Sequence, residues 1–196
     1  MSAIITASPV QTPQAAATTW RIDASHSEVG FAVRHLMIST VKGRFSGVQG
    51  AVTANGDDFA SARIEATIDA GTIDTREPQR DAHLRSADFF DVDQFPSLGY
   101  VSRRVESHGH GRYTLVGDLS IRGVTREVVL EVIAEGTGRD PWGNERAGFS
   151  AKGVVNRRDF GLTYNQVLET GGVIIGEEVK LSIDLELIKQ VAAKAA

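Results

Sequence analysis

Residues 179–187, VKLSIDLEL, alternate without a break: Val179, Leu181, Ile183, Leu185 and Leu187 share one face, and Lys180, Ser182, Asp184 and Glu186 the other. Period two, with one apolar and one polar face, belongs to antiparallel strands rather than to a doubly wound parallel sheet. The same reading extends outward from this stretch. Val29, Phe31, Val33 and His35 oppose Glu28, Gly30, Ala32 and Arg34. Ile64, Ala66 and Ile68 alternate with Arg63, Glu65, Thr67 and Asp69, and Tyr113, Leu115, Gly117, Leu119 and Ile121 with Thr114, Val116, Asp118, Ser120 and Arg122. Turn residues punctuate these runs at Asn55-Gly56-Asp57, at 108–111 (HGHG) and at 140–144 (DPWGN). About eight strands result, several long enough to bend around a barrel. Gly30, Gly43, Gly47, Gly117, Gly148 and Gly153 fall in or beside strands and are expected to supply the bulges that closure needs.

One segment breaks the period. Residues 77–91 read EPQRDAHLRSADFFD, with Pro78 where the first turn of a helix tolerates it. A short helix is expected near 77–86, inserted between early and late strands and capping or lining a barrel mouth. No repeat period or internal linker appears. The chain therefore divides into a disordered tail over 1–18, one all-β domain over 19–190 and a flexible tail over 191–196.

Composition removes most functional classes. The 196 residues include 41% hydrophobic and 23% charged, ordinary for a folded soluble domain. With 21 basic against 25 acidic residues the net charge is −4, which argues against nucleic acid as a main partner. No cysteine is present, so disulfides, thiolate nucleophiles and cysteine-ligated metals are excluded. No apolar run approaches a membrane span. Residues 1–19 lack Lys and Arg and show no secretory pattern, so a cytoplasmic location is expected. There is no HExxH, Walker loop, GxSxG or strand-to-helix GxGxxG.

Five histidines remain: His26, His35, His83, His108 and His110. His108 and His110 read as solvated turn residues, His26 as a turn residue tying strands together. His35 stands on an apolar face, where a hydrogen-bonded core role competes with ligand contact. His83 lies in the helical segment with Arg76, Arg80 and Arg85. That trio reads as a solvated helix face offset by acids, or as a clamp for an anionic head group. Aromatic residues are spread along strands and helix. An eight-stranded barrel is wide enough for one slender ligand, so an incompletely filled interior would be an oily tunnel.

Four segments then resemble the YceI-like family: residues 20–50 (WRIDASHSEVGFAVRHLMISTVKGRFSGVQG), 73–96 (IDTREPQRDAHLRSADFFDVDQFP), 117–132 (GDLSIRGVTREVVLEV) and 148–162 (GFSAKGVVNRRDFGL). The resemblance is collinear from about Trp20 to Ile188. It implies an extended eight-stranded lipocalin-like antiparallel barrel around a long polyisoprenoid chain, such as a polyprenyl quinone or polyprenyl phosphate. It implies binding, storage or transport rather than catalysis, with the bound lipid as ligand and neither cofactor nor metal. His26, His35, Arg80, Asp81, His83, Leu84, Phe89 and Phe90 match recurrent family positions. Many relatives carry a secretion signal, and this chain shows none. Inner faces, aromatics and matching positions together name a ligand-binding set: Phe31, Val33, His35, Phe45, Ile64, Ala66, Ile68, Arg80, His83, Leu84, Phe89, Phe90, Tyr100, Leu119 and Phe149. Barrels of this kind can pair through an outer face, so a homodimer is compatible with the reading. Two alternatives stand beside it. One is an enzyme on the same barrel using His35 or His83 as acid/base, or a histidine-bound metal; the other is an interaction module with a solid core.

Overall fold

A computed structural model describes residues 17–166 and 174–190. In chain order the strands are β1 (Ala17–Ile22), β2 (Glu28–His35), β3 (Ser39–Phe45), β4 (Val48–Asn55), β5 (Asp58–Asp69), β6 (Ser97–Ser107), β7 (Arg112–Ile121), β8 (Val124–Arg139), β9 (Glu145–Asn156) and β10 (Ile175–Lys189). All neighbours pair antiparallel, and a β1–β10 pairing closes the ring β1-β4-β5-β6-β7-β8-β9-β10.

These ten strands are eight staves. β1 and β2 follow one another along the same edge of β10: Trp20–Ile22 pair with Lys189–Leu187, and residues 28–35 with 184–175. β4 pairs with β1 and β3 with β2. Both staves of that long hairpin are therefore interrupted, one over residues 23–27 and the other at Ser46-Gly47. The eight-stranded barrel read from alternation is present, with two breaks that alternation did not show.

The first break is held by charge. Arg146 on β9 donates from Nη1 to Asp23 (2.8 Å) and to Glu186, and from Nε to Asp140 (2.9 Å). Asp23 also accepts from Ser25 Oγ and bonds His26 Nδ1. His26 thus braces this link.

Beyond the end of β5 the barrel loses a stave. The chain passes through a 3-10 turn (Ala70–Thr72) and helix α1 (Pro78–Arg85) before returning as β6. The helix begins where expected, with Pro78 in its first turn and Glu77 as the cap accepting from the N–H groups of Gln79 and Arg80. Asp81, buried on α1, accepts from the N–H and hydroxyl of Thr75. Here β3 has one strand partner, β2, and its backbone meets the inserted segment in an isolated bridge between Arg44 and Asp74 rather than in a ladder.

The glycines meet the expectation in part. Register shifts fall at 53/55, 102/104, 134/136 and 175/179, and of the six glycines Gly117, paired with Ser102, and Gly148, paired with Gly136, lie opposite one. Gly117 also makes room for a ring across the ladder: a Cβ there would stand 2.4 Å from the Tyr100 hydroxyl. In so narrow an interior, an aromatic side chain needs a bare backbone on the next strand.

The core is packed around Trp20, Ile22, Val48, Ile73, Phe160 and Leu187, all essentially inaccessible. Ala17 and Thr18, expected in the tail, already pair with Asn55 and Ala54. The rest of the expected tails, 1–16 and 191–196, lies outside the described residues. Among the described residues no helix is long and apolar enough to cross a membrane.

Candidate functional site

Inside the barrel is a cavity of about 680 Å³. Its wall is built from the inward faces of β2 and of β4 through β10, from Ile22 of β1, from Val41 and Phe45 of β3, and from one side of α1. All fifteen residues singled out from the sequence stand on this wall. Alternation explains those on strands. Leu84, His83 and Arg80 reach it from α1, and Phe89 and Phe90 from the turn that follows.

Aromatic edges give the interior its shape. At one end Phe59 packs on Trp20 and Phe149, with ring centroids 5.5 and 4.8 Å away. Further along, Phe45 touches Phe31 (5.7 Å) and Phe90 (5.6 Å). At the helix end His83 stands edge-on to Phe89 (5.1 Å) and Tyr164 (4.8 Å), joining α1 to the segment after β9. These are favoured aromatic arrangements, and they leave the lumen lined by carbon.

The charged and imidazole side chains of the lining gather where α1 lies, beside Gln79: Arg34, His35, Glu77, Arg80, His83 and Arg157. Glu77 is committed to capping α1. Arg80 donates to the Thr75 hydroxyl (2.7 Å) and carbonyl (2.8 Å). Arg85 is turned away onto the carbonyls of Gly71 and Ile73 and does not line the cavity. The arginine trio is thus neither a wet helix face nor a three-part clamp. Arg80 and Arg85 fasten the helix to the preceding turn, because unpaired carbonyls there need donors. His83 Nε2 bonds Asp88 Oδ2 at 2.8 Å.

Of the wall residues that sequence reasoning does not single out, three stand out. Arg34 was assigned to the wet face, but it lies beside a turn and lines the cavity rim. Phe59 follows a hairpin turn, where alternation had not been read. Arg157 is 5% exposed and donates to the carbonyls of Leu162, Tyr164, Ile175 and Gly176, with burial lowering its pKa. It lies in the family-like segment 148–162, where nothing in the sequence distinguishes it from its exposed neighbour Arg158.

Tyr100 is buried, and burial pushes its phenol well above the ordinary range. Among the described residues its hydroxyl finds no hydrogen-bond partner. His108 and His110 are exposed at the β6–β7 turn, away from this site. Among the described residues, one group combines three metal-ligating side chains, Asp23, His26 and Glu186. Arg146 already bridges its two carboxylates.

A closed antiparallel barrel with a carbon-lined lumen and polar groups at one end is the architecture of lipocalin-like binding proteins. The YceI-like domain model matches residues 20–187, and the chain belongs to that family. UPF0312 protein SAS2572 of Staphylococcus aureus (strain MSSA476) is 37% identical over 170 residues, covering 86% of this chain and 96% of its own. The crystal structure of a YCEI protein from Campylobacter jejuni superposes with a TM-score of 0.68 at 26% identity, covering 81% of this chain and 90% of its own. The fold is also shared with a polyisoprenoid binding domain from Saccharophagus degradans, with a TM-score of 0.64 at 13% identity over 87% and 98% of the two chains.

Proposed function

We propose that this protein binds, stores or carries a long-chain polyisoprenoid or similar amphiphilic lipid in the barrel lumen and releases it unchanged. One observation carries the reading: a carbon-lined cavity of about 680 Å³ whose charged groups are confined to one end. That volume is within the range of roughly 300–1,000 Å³ typical of ligand sites. Such a wall offers water few partners, whereas each buried methylene of a guest contributes about 0.8 kcal/mol. The fifteen wall residues are the proposed contact set, the apolar ones holding the tail and His35, Arg80 and His83 lying near the head group. The domain from Saccharophagus degradans supports the guest class through its fold. A polyprenyl quinone and a polyprenyl phosphate are the two head-group variants.

Mass spectrometry of an organic-solvent extract from freshly purified, untagged protein tests this. A compound of isoprene composition near one per chain is expected. An extract without any such lipid overturns the proposal.

A second reading has one specific observation in its favour. The His83–Asp88 hydrogen bond is the arrangement that orients an imidazole for acid–base work. Incubating the protein with the extracted lipid separates the two: an unchanged mass supports carriage, a changed one supports catalysis.

A further inference from the structure

The turn joining β2 to β3 has a feature that lipid binding inside the barrel leaves unexplained. Met37 and Ile38 stand at its apex, 58% and 80% exposed. Leu36 and Met37 both adopt left-handed backbone, with φ of 50° and 59°, a conformation that costs non-glycine residues energy. The turn is held in it by Arg34, which donates from Nη2 to the Met37 carbonyl and from Nη1 to the Thr40 hydroxyl. The apolar pair is thus displayed by a braced turn.

Its place matters. Arg34 and His35 line the cavity, and the Leu36 N–H donates to the carbonyl of Ile174, which lines it too. Ile38 is therefore three residues from the polar end of the lumen. Charge along the hairpin itself is one-sided, while Glu177 and Glu178 stand in the adjoining β10 bulge, Glu177 paired with Arg158. Residues 29–44 contain Arg34, Lys42 and Arg44 and no Asp or Glu, in a chain with 25 acidic against 21 basic residues. Arg44 is paired with Glu28 and Asp74; Arg34 and Lys42 make no ion pair with a described carboxylate.

We infer that the β2–β3 turn docks on an anionic lipid bilayer, with Met37 and Ile38 entering the acyl boundary and Arg34 and Lys42 facing the phosphate layer. Apolar tips flanked by basic residues bind interfaces in this way, and anionic lipid adds attraction for each nearby cation. Docking would set the polar end of the cavity against the membrane, where an amphiphilic guest has its head group. This inference rests on the proposed lipid binding, since it gives the cavity a source to load from.

The test is flotation of the full chain with vesicles of phosphatidylcholine, alone or mixed with phosphatidylglycerol. Wild type is expected to float with the mixed vesicles, and the Met37→Asn/Ile38→Ser double variant to bind at least about tenfold more weakly. Lys42→Glu is expected to remove the preference for phosphatidylglycerol. Equal flotation of wild type and double variant, or none by either, overturns the inference. So does sedimentation showing that the apolar pair holds two copies together while vesicles are ignored.

Uptake of geranylgeraniol from detergent-free buffer, followed by native mass spectrometry, is measured in parallel. It is expected to be unchanged in the double variant, because the turn lies outside the lumen. Failure of wild type to take up geranylgeraniol counts against the lipid-binding reading, whereas flotation reports on the turn alone.

Discussion

The ring of Phe31 fills the space where a side chain on Gly43 would begin: a Cβ at residue 43 would lie 2.3 Å from Phe31 Cζ and 2.7 Å from Thr75 Cγ2. Phe31 and Gly43 are cross-strand partners in the β2–β3 ladder. Gly43→Ala is therefore expected to lower stability by about 1–3 kcal/mol, as overpacking does. Urea denaturation measures this. Adding Phe31→Leu to the same protein should recover part of the loss, which a backbone effect at residue 43 would not allow.

Affinity should depend on the lumen more than on any polar contact. Ala66, paired between Gly50 and Tyr100, lies on the wall. Ala66→Trp is expected to abolish uptake of geranylgeraniol. His35→Ala should only weaken it, since one neutral hydrogen bond contributes roughly 0.5–1.5 kcal/mol. Titration monitored by native mass spectrometry ranks the two, and the opposite order would refute this account of affinity.

Three arginines and one glutamate supply the formal charge of the lumen wall, with Glu77 engaged as a helix cap. Farnesyl phosphate is accordingly expected to compete better than farnesol for the site, and its advantage to shrink in Arg80→Met. Competition assays at two salt concentrations check this, because a charge effect weakens with added salt.

The Arg146 cluster predicts an acid limit. Burial alone would raise the Asp140 pKa, but hydrogen bonds from Asn144 and Arg146 and from the N–H groups of Asn144 and Trp142 outweigh it and hold the carboxyl at about 2, against an ordinary 3.8. Bonds from Ser25, His26 and Arg146 hold Asp23 lower still. Both carboxylates release their protons more readily in the folded chain, so the unfolded chain binds more protons between these values. Stability is then fully present above about pH 4 and falls as pH drops toward 2. Thermal melts across that window should show the decline, and Arg146→Gln should flatten it.

Arg157 is expected to be intolerant of replacement. Arg157→Met would leave four carbonyls without their donor, at about 1–3 kcal/mol for each one that stays buried and unpaired. Arg157→Lys should rescue little, because an ammonium cannot reproduce the planar fork. Melting temperature checks both variants.

The staves of the barrel were legible because each has one buried face, which writes a period of two into residues such as Val179–Leu187. Pro78 announced the helix in the same local way. What escaped depends on distant partners. The break at 23–27 is tied across the barrel by Arg146, 123 residues from Asp23, and by Glu186. Arg80 and Arg85 could not be read as braces until the carbonyls of Thr75, Gly71 and Ile73 were seen beside them. Gly43 and Gly117 took their meaning from rings across the ladder rather than from their own strands.

A fully paired barrel has a fixed girth, since widening it anywhere breaks ladder hydrogen bonds. Where α1 stands in for a stave, the wall between β3 and the helix is joined by the Arg44–Asp74 contacts and by side chains, without a continuous ladder. Under the proposed lipid binding, this seam is where the wall is expected to yield, by small shifts of Phe45, Phe90 and Leu84 while the strands keep their register. A guest would then meet a rigid sleeve at its far end and an adjustable collar at the polar end.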